Sequence, residues 1–396
     1  MKPLPGRKPD LRALSPEALA EVVAGLGEQP FRARQLFRWL HHRGAATLEE
    51  MTDLPAPLRA ALAARLDRWT LERAAEQRSR DGTIKWTWRT VDGRLVESVY
   101  LPHVGDDEDE PHNRDRRTLC VSTQVGCAVG CAFCMTGTMG LARHLGAGEI
   151  ADQVHRANRR LVELGLGRPP RPLTNLVFMG MGEPLHNYEE LKAALGLLLH
   201  EDGADFSHRH VTVSTSGFVP EIARLGAETR VKLAISLNAS HDAQRDRLMP
   251  VNRKWPIAEL MAACRAFPVK QGRRITFEYV LLAGVNDADE DARRVAALVA
   301  GLPAKVNLIA YNDNPGLGFR APPPERVKAF RAILEERRVT AVIRRNRGED
   351  IAAACGQLAV VEPAAHPDGG AEDPAPPDPS LAPGPAPGRA TPAGGR

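Results

Sequence analysis

From about residue 117 to residue 312 the chain alternates short apolar runs with longer amphipathic stretches. The apolar runs are TLCVSTQV, NLVFMGM, HVTVSTS, VKLAISLN, RITFEYVLL and KVNLIAYN, rich in β-branched residues and therefore strand-like. Between them, GEIADQVHRANRRLVELG, YEELKAALGLLLH and DEDARRVAALVAGL repeat apolar residues at three- and four-residue steps, which predicts helices. Strand–helix repetition predicts an α/β fold with a parallel sheet and right-handed crossovers. Six repeats favour a partial (β/α)6 barrel, with a doubly wound sheet as the alternative. Either arrangement puts function at the carboxyl ends of the strands.

The flanks read differently. Residues 11 to about 67 predict a small helical module: SPEALAEVV opens on Ser15, with Glu17 and Glu21 suited to the positive end of a helix. FRARQLFRWLHH places Phe31, Leu36, Phe37 and Leu40 near helical spacing. Arg32, Arg34, Arg38, His41, His42 and Arg43 are interleaved with them. Such a face is either simply solvated or a grip for RNA backbone. From Trp69 to Leu101 the pattern shortens to TIKWTWRTVDG and RLVESVYLP, and Asp92-Gly93 signals a hairpin. Residues 363–396 are mostly Pro, Ala and Gly and cannot bury enough to offset the entropy of ordering, so a disordered tail is expected. The expected divisions are 1–67 helical accessory module, 68–104 β linker, 105–362 core and 363–396 tail.

Composition narrows the setting. The net charge of +4 over 396 residues is modest, so only local clustering of charge argues for nucleic acid. MKPLPGRKPD lacks the apolar stretch of a secretory signal, and no apolar run reaches the ~18 residues of a membrane span. A cytoplasmic protein without membrane contact is expected. In that reducing compartment the six cysteines are expected to be catalytic or metal-bound instead of paired.

Three of those cysteines, Cys127, Cys131 and Cys134, lie in GCAVGCAFC with the spacing CxxxCxxC. Thiolates so spaced on a short loop suit three irons of a [4Fe-4S] cluster and leave the fourth open for chemistry. Structural zinc is the competing reading. It needs four ligands, and the sequence offers no second CxxC pair and no histidine at zinc spacing. Small and polar residues sit at the strand ends: Gly180, Gly182 and Glu183, Ser214 and Ser216, Ser236 and Asn238, and Asn312. Singly each suits a turn; together they form a polar rim for a ligand. Cys120 lies in the first strand, and Cys264 on an apolar helix reads as a buried hydrophobe. Cys355, among Gly348, Glu349, Asp350 and Gly356, has a turn-rich setting in which a thiol is accessible.

The cysteine loop resembles the signature of the radical S-adenosylmethionine (SAM) superfamily. More closely, VESVYLP, TLCVSTQVGCAVGCAFCMTG, FMGMGEPLHN, VSTSG, ISLNA, YNDNPG and RGEDIAAACGQL resemble the radical SAM methyltransferases of RNA adenine, the RlmN/Cfr family. The resemblance implies a radical SAM barrel with a [4Fe-4S] cluster on Cys127, Cys131 and Cys134. It implies SAM held by Gly182, Glu183, Ser214, Ser236, Leu237, Asn238 and Asn312, two molecules per turnover. Cys355 would carry the methyl group, Cys120 would release the product through a transient disulfide, and Glu97 would accept a proton. The implied substrates are an adenosine of the peptidyl-transferase region of 23S rRNA and the adenosine 3′ of the anticodon in tRNA. A monomer served by an electron donor such as flavodoxin is expected. Carbon 2 of adenine is the expected target, as the housekeeping activity; the motifs are shared with carbon-8 methylation, which stays open. A radical SAM activator of a partner protein would share the cysteine loop without needing Cys120 and Cys355. An RNA-binding module with structural metal is the non-enzymatic alternative. The acidic run Asp106–Glu110 departs from the pattern and reads as a solvated loop.

Overall fold

The computed structural model describes residues 8–67, 71–102, 116–270, 272–314 and 316–359. The acidic run at 106–110 and the tail at 363–396 lie outside the described residues.

Near the amino end, helices span Pro16–Ala24, Phe31–Phe37 (continuing as a wider turn through Arg38–His42) and Ala56–Arg65. The Ser15 hydroxyl accepts from the Ala18 N–H at 3.2 Å, capping the first as its sequence predicts. Leu36, Phe37 and Leu40 enter the core, but Phe31 is 55% exposed and lies under the Arg32 guanidinium. The basic residues divide: Arg38 and Arg43 face solvent, Arg34 pairs with Asp202 at 2.7 Å, and His41 is buried against His155. Arg12 docks this region. Fully buried, it pairs with Asp152 at 3.3 Å and donates to the carbonyls of Leu40 and Ala45.

An antiparallel ribbon follows: β1 (Glu72–Arg78), β2 (Ile84–Arg89) and β3 (Leu95–Leu101). The β2–β3 hairpin turns at Asp92-Gly93, where Gly93 takes φ +83. β1 has no apolar alternation, and six of its seven residues are exposed, so nothing in ERAAEQR announces a strand.

β3 pairs antiparallel with β4 (Thr118–Cys120), the first parallel strand. A small ribbon, β5 (Gln124–Gly126) and β6 (Leu141–His144), frames the cysteine loop. The parallel sheet continues with β7 (Asn175–Phe178), β8 (Val211–Thr215), β9 (Lys232–Ser236), β10 (Ile275–Leu281), β11 (Ala304–Ala310) and β12 (Ala341–Arg344). The order β4-β7-β8-β9-β10-β11-β12 is strictly sequential. A doubly wound sheet reverses direction from its first strand, so this order excludes it. All six expected strands are present, and β12 adds a short seventh with only four residues of weak pattern. β12 pairs only with β11 among the described residues, so the barrel stays partial. Along β10, Phe277, Tyr279 and Leu281 enter the core while Thr276, Glu278 and Val280 line clefts on the other face.

Removing Arg12 strips a partner from buried Asp152 and two carbonyls at once. Arg12→Ala should cost about 3 kcal/mol in urea unfolding, with Arg12→Lys intermediate. Equal stability of all three proteins would show that this contact does not dock the module.

Candidate active site

The cysteine loop is held by its backbone. The Cys127 N–H donates to Gly140 C=O at 2.8 Å, and the Ala132 N–H to Leu248 C=O at 3.0 Å. Cys134 N–H donates to Cys131 C=O, and Met135 N–H to Gly356 C=O at 2.8 Å. Gly126 has φ +75, and a Cβ there would lie 1.9 Å from the Gly140 carbonyl oxygen. Only glycine fits that approach. The backbone thus sets the loop, and the Cys127 and Cys134 sulfurs add only local hydrogen bonds, from the N–H groups of Val129 and of Thr136 and Gly137. Phe133, Leu248, Met249 and Tyr311 form the apolar wall behind them. Burial pushes the Cys127 thiol up to about 12 and raises Cys131 and Cys134. Among the described residues no three metal-ligating side chains converge on the point a single ion needs. Thiols that each take a separate corner of a cube need no common point, and this donor set fits a cluster better than zinc.

The polar rim faces the same cleft. Cys127, Cys131, Cys134, Gly182, Glu183, Ser214, Ser236 and Asn238 all line it, as do Ser216 and Cys355. Gly182 takes φ +98, and a Cβ there would run into Gln124 at 2.5 Å, so only glycine lets the strand end pack against that side chain. Buried Glu183 accepts from Leu185 N–H at 3.0 Å and Ser216 N–H at 2.7 Å. Burial raises its pKa, and those donors oppose the rise. A carboxylate so fixed suits an ammonium group. Asn238 adopts φ +53 and accepts from Val280 N–H at 2.8 Å. Asn312 donates to the Cys355 carbonyl and keeps Oδ1 buried without a partner among the described residues. Leu237 is core: its N–H donates to Glu278 C=O and its own C=O accepts from Arg245.

Cys120 and Cys355 open onto one further cleft with Cys134, Met179 and Arg344. Both are thiols in this structure. Cys120 is buried on β4, and burial plus the nearby Cys355 push it up to about 12. Cys355 is open to the cleft yet ringed by protein, which also raises its pKa. Glu97 on β3 stands behind that cleft instead of lining it. It is buried and paired with Lys85 at 3.3 Å. Burial raises its pKa, and Lys85 opposes the rise. Lys85 also donates to the Ala352 carbonyl at 3.1 Å, linking Glu97 to the segment that bears Cys355. Cys264 is buried on its helix, as expected for a packing residue.

Sequence reasoning missed Arg245 and a basic cleft. Arg245, in DAQRDRL, looks like a solvated helix charge but is wholly buried. It donates to the carbonyls of Ser216, Ser236 and Leu237, fixing two strand ends of the rim. The basic cleft, about 840 Å³, is lined by Arg116, Lys232, Arg274, Lys305, Arg344 and Arg345 among others. They come from separate strand ends, in small groups such as Lys270, Arg273 and Arg274 or Arg344, Arg345 and Arg347, so no one basic run marks the whole cleft in the sequence.

Gly126→Ala should leave a folded protein that cannot close its cysteine loop. Iron after anaerobic reconstitution should fall from about four per chain to near zero. Full loading would show that the loop tolerates the clash and is not set by this glycine.

Residues 121–296 match the radical SAM superfamily, and residues 9–67 match the ribosomal RNA large subunit methyltransferase N-terminal domain. The chain is 69% identical over 366 residues to the dual-specificity RNA methyltransferase RlmN of Anaeromyxobacter dehalogenans, covering 92% of this chain and 94% of that protein. It is 46% identical over 349 residues to the RlmN of Geobacter sulfurreducens, covering 88% and 91%. The crystal structure of a radical SAM methyltransferase from Sphaerobacter thermophilus superposes with a TM-score of 0.82 at 48% identity, covering 88% of this chain and 99% of that one. With the cysteine loop, the polar rim and two thiols on one cleft already in place, these similarities make the chain a member of the RlmN family of radical SAM RNA methyltransferases.

Proposed function

We propose that this protein methylates carbon 2 of adenosine in 23S rRNA and tRNA, carrying the methyl group on Cys355. The observation that carries the reading is the shared cleft of Cys120 and Cys355 beside the cysteine loop. A radical SAM activator of a partner protein has no use for such a pair. Adenine carbon 2 is not nucleophilic, so it cannot take a methyl group from a sulfonium directly; a carbon radical can add there.

Cys127, Cys131 and Cys134 hold the [4Fe-4S] cluster, and Gly182, Glu183, Ser214, Ser236–Asn238 and Asn312 hold SAM. When bound, the cluster supplies the electron that splits SAM and furnishes a radical able to take a hydrogen atom. Cys355, as thiolate, takes the methyl group of a first SAM and releases S-adenosylhomocysteine. Loss of a hydrogen atom from that S-methyl group lets its carbon bond to adenine. Glu97 accepts the proton that the ring gives up. Cys120 then attacks the Cys355 sulfur: a disulfide forms as the carbon–sulfur bond breaks, and the freed carbon takes up a proton to complete the methyl group. The electron left over from radical addition passes back to the electron donor's chain, and a thiol reductant reopens the disulfide. The basic cleft suits a polyanion, and enzymes that act on a base draw it out of its stack. The helical module at 1–67 serves as an RNA-binding accessory to the core at 105–362, and the segment at 363–396 takes no part in chemistry. A cytoplasmic monomer reduced by a flavodoxin-type donor completes the reading; no helix among the described residues is long and apolar enough to cross a membrane.

The decisive variant is Cys120→Ala. It should still load Cys355 and attack adenine but lack the thiol that releases the product. Purified from growing cells, it should carry an RNA adduct that survives denaturant and disappears when Cys355 is also replaced. Mass analysis after ribonuclease digestion should place the link at adenine carbon 2; a link at carbon 8 would redirect the assignment. Free methyladenosine at normal yield, with no adduct, would remove Cys120 from the mechanism.

The pH dependence follows from the raised thiols. Below a raised pKa the thiolate fraction grows about tenfold per pH unit, so methyl loading should climb with pH. Glu97, also raised, becomes protonated and unable to accept as pH falls through its pKa, which steepens the acid side. Steady-state methylation that is flat or falls from neutral to alkaline pH would contradict this.

A further inference from the structure

The basic cleft and the cluster cleft meet on the sheet face opposite the core, and one carboxylate stands at the junction. Glu278, in the middle of β10, lines both. In register, Glu278 lies between Ser236 on β9 and Asn307 on β11. Ser236 belongs to the rim assigned to SAM, and Asn307 lines the basic cleft. On one side of Glu278 stand Lys232, Arg274 and Lys305, near the starts of their strands. On the other side are the cysteine loop and Cys355. Glu278 is close enough to Cys355 for its charge to raise that thiol's pKa.

A cleft lined with cations suits phosphates, and a carboxylate at its inner end does not. Burying such a group is costly unless something pairs with it. Glu278 is 6% exposed and Asn307 is 7% exposed. Asn307 donates its side-chain N–H to Glu278 Oε1 at 3.0 Å. That bond fixes the amide, because a carboxylate can only accept, and so leaves Asn307 Oδ1 as an acceptor. Among the described residues neither Asn307 Oδ1 nor Glu278 Oε2 has a hydrogen-bond partner. Arg344 approaches Glu278 Oε2 only to 3.8 Å, an ion pair beyond hydrogen-bond length. Two buried acceptors on adjacent side chains thus face the cleft with no hydrogen bond to either among the described residues.

We infer that Glu278 and Asn307 bind the exocyclic amine of the base drawn from RNA into the barrel, and so select adenine at the methylation site. The assignment rests on the methyltransferase reading above. Adenine presents an amine with two N–H donors, one for each acceptor. Guanine and uracil present a carbonyl oxygen at the corresponding edge, which a carboxylate repels. Cytosine has an amine on a smaller ring. A pocket that satisfies buried acceptors only with the correct base discriminates strongly, because the wrong base leaves them unpaired. Glu278 and Asn307 are specificity-determining here; the reacting groups remain those on Cys355 and Cys120.

The test is a cycle between protein and substrate, using the full-length, cluster-loaded protein. Two RNA hairpins carry either adenosine or purine riboside, which lacks the amine, at the target position. Each is assayed with wild type, Glu278→Met and Asn307→Ala. Removing the amine also alters the ring's own reactivity, so the coupling is the readout and neither single ratio is. Wild type should favour adenosine in kcat/KM, and each variant should shrink that preference about tenfold or more. Should Glu278→Met fail to fold, Asn307→Ala gives the same coupling on its own. A preference unchanged within about twofold in the folded variants, with adenosine still methylated, overturns the base-reading role and leaves the methyltransferase reading standing. Wild-type protein that methylates neither hairpin overturns both.

Discussion

One backbone hydrogen bond, from Met135 N–H to Gly356 C=O at 2.8 Å, joins the cysteine loop to the segment bearing Cys355. The Thr136 hydroxyl adds a second link, to the Leu358 carbonyl. Cys355 has no strand or long helix of its own; it follows a single short turn, Glu349–Ile351. Its place is borrowed from neighbours. Asn312 donates to its carbonyl, and Lys85 donates to the carbonyl of Ala352. Asp81 accepts from the Gly348 N–H, while Asp350 accepts from the Arg80 N–H. The antiparallel ribbon thus has a task besides covering a sheet edge: its β1–β2 turn and β2 tether the segment bearing Cys355, which shares a cleft with Cys120. Each such bond contributes only about 1 kcal/mol net. A segment held by several weak bonds suits the role proposed for Cys355, whose sulfur would meet SAM, then adenine, then a second thiol.

Much of the charge along the barrel follows from strand direction, with Arg344, Arg345 and Arg347 at the end of β12 as the exception. Parallel strands share one polarity, so the residues near their starts form one set and those at their ends another. Lys232, Arg274 and Lys305 belong to the first set, and Glu183, Ser214, Ser236 and Asn312 to the second. RNA chemistry gains from that division. In the proposed reaction that division would keep phosphates apart from the polar groups of SAM, with one base between them. Arg245 stabilises the second set by tying its carbonyls to a single buried guanidinium, which burial pulls down to about 10.

Much of this is legible in the sequence where function is written locally. GCAVGCAFC fixes three thiols within eight positions, and the six apolar runs carry the parallel sheet. Both periodicity and motif spacing are short-range signals. What escaped is long-range. β1 is exposed on both faces at the outer end of the sheet, so no buried face imposes alternation on it. Arg245 looks solvated because its four acceptors come from other segments. The basic cleft collects residues from 116 to 347, which a whole-chain charge of +4 conceals. Phe31 and His41 moved in opposite senses from their pattern: the apolar ring lies outside under Arg32, and the histidine lies inside against His155. Helical spacing identifies a face, while packing against the barrel decides which residues on it are buried.

The central claim is that the methyl group reaches RNA through the sulfur of Cys355, losing a hydrogen atom on the way. SAM labelled with a trideuterated methyl group tests it most directly. The methyladenosine product should keep two deuterium atoms in its new methyl group, and the third should be found in 5′-deoxyadenosine. A product that keeps all three would mean transfer of an intact methyl group, and would contradict the role assigned to Cys355.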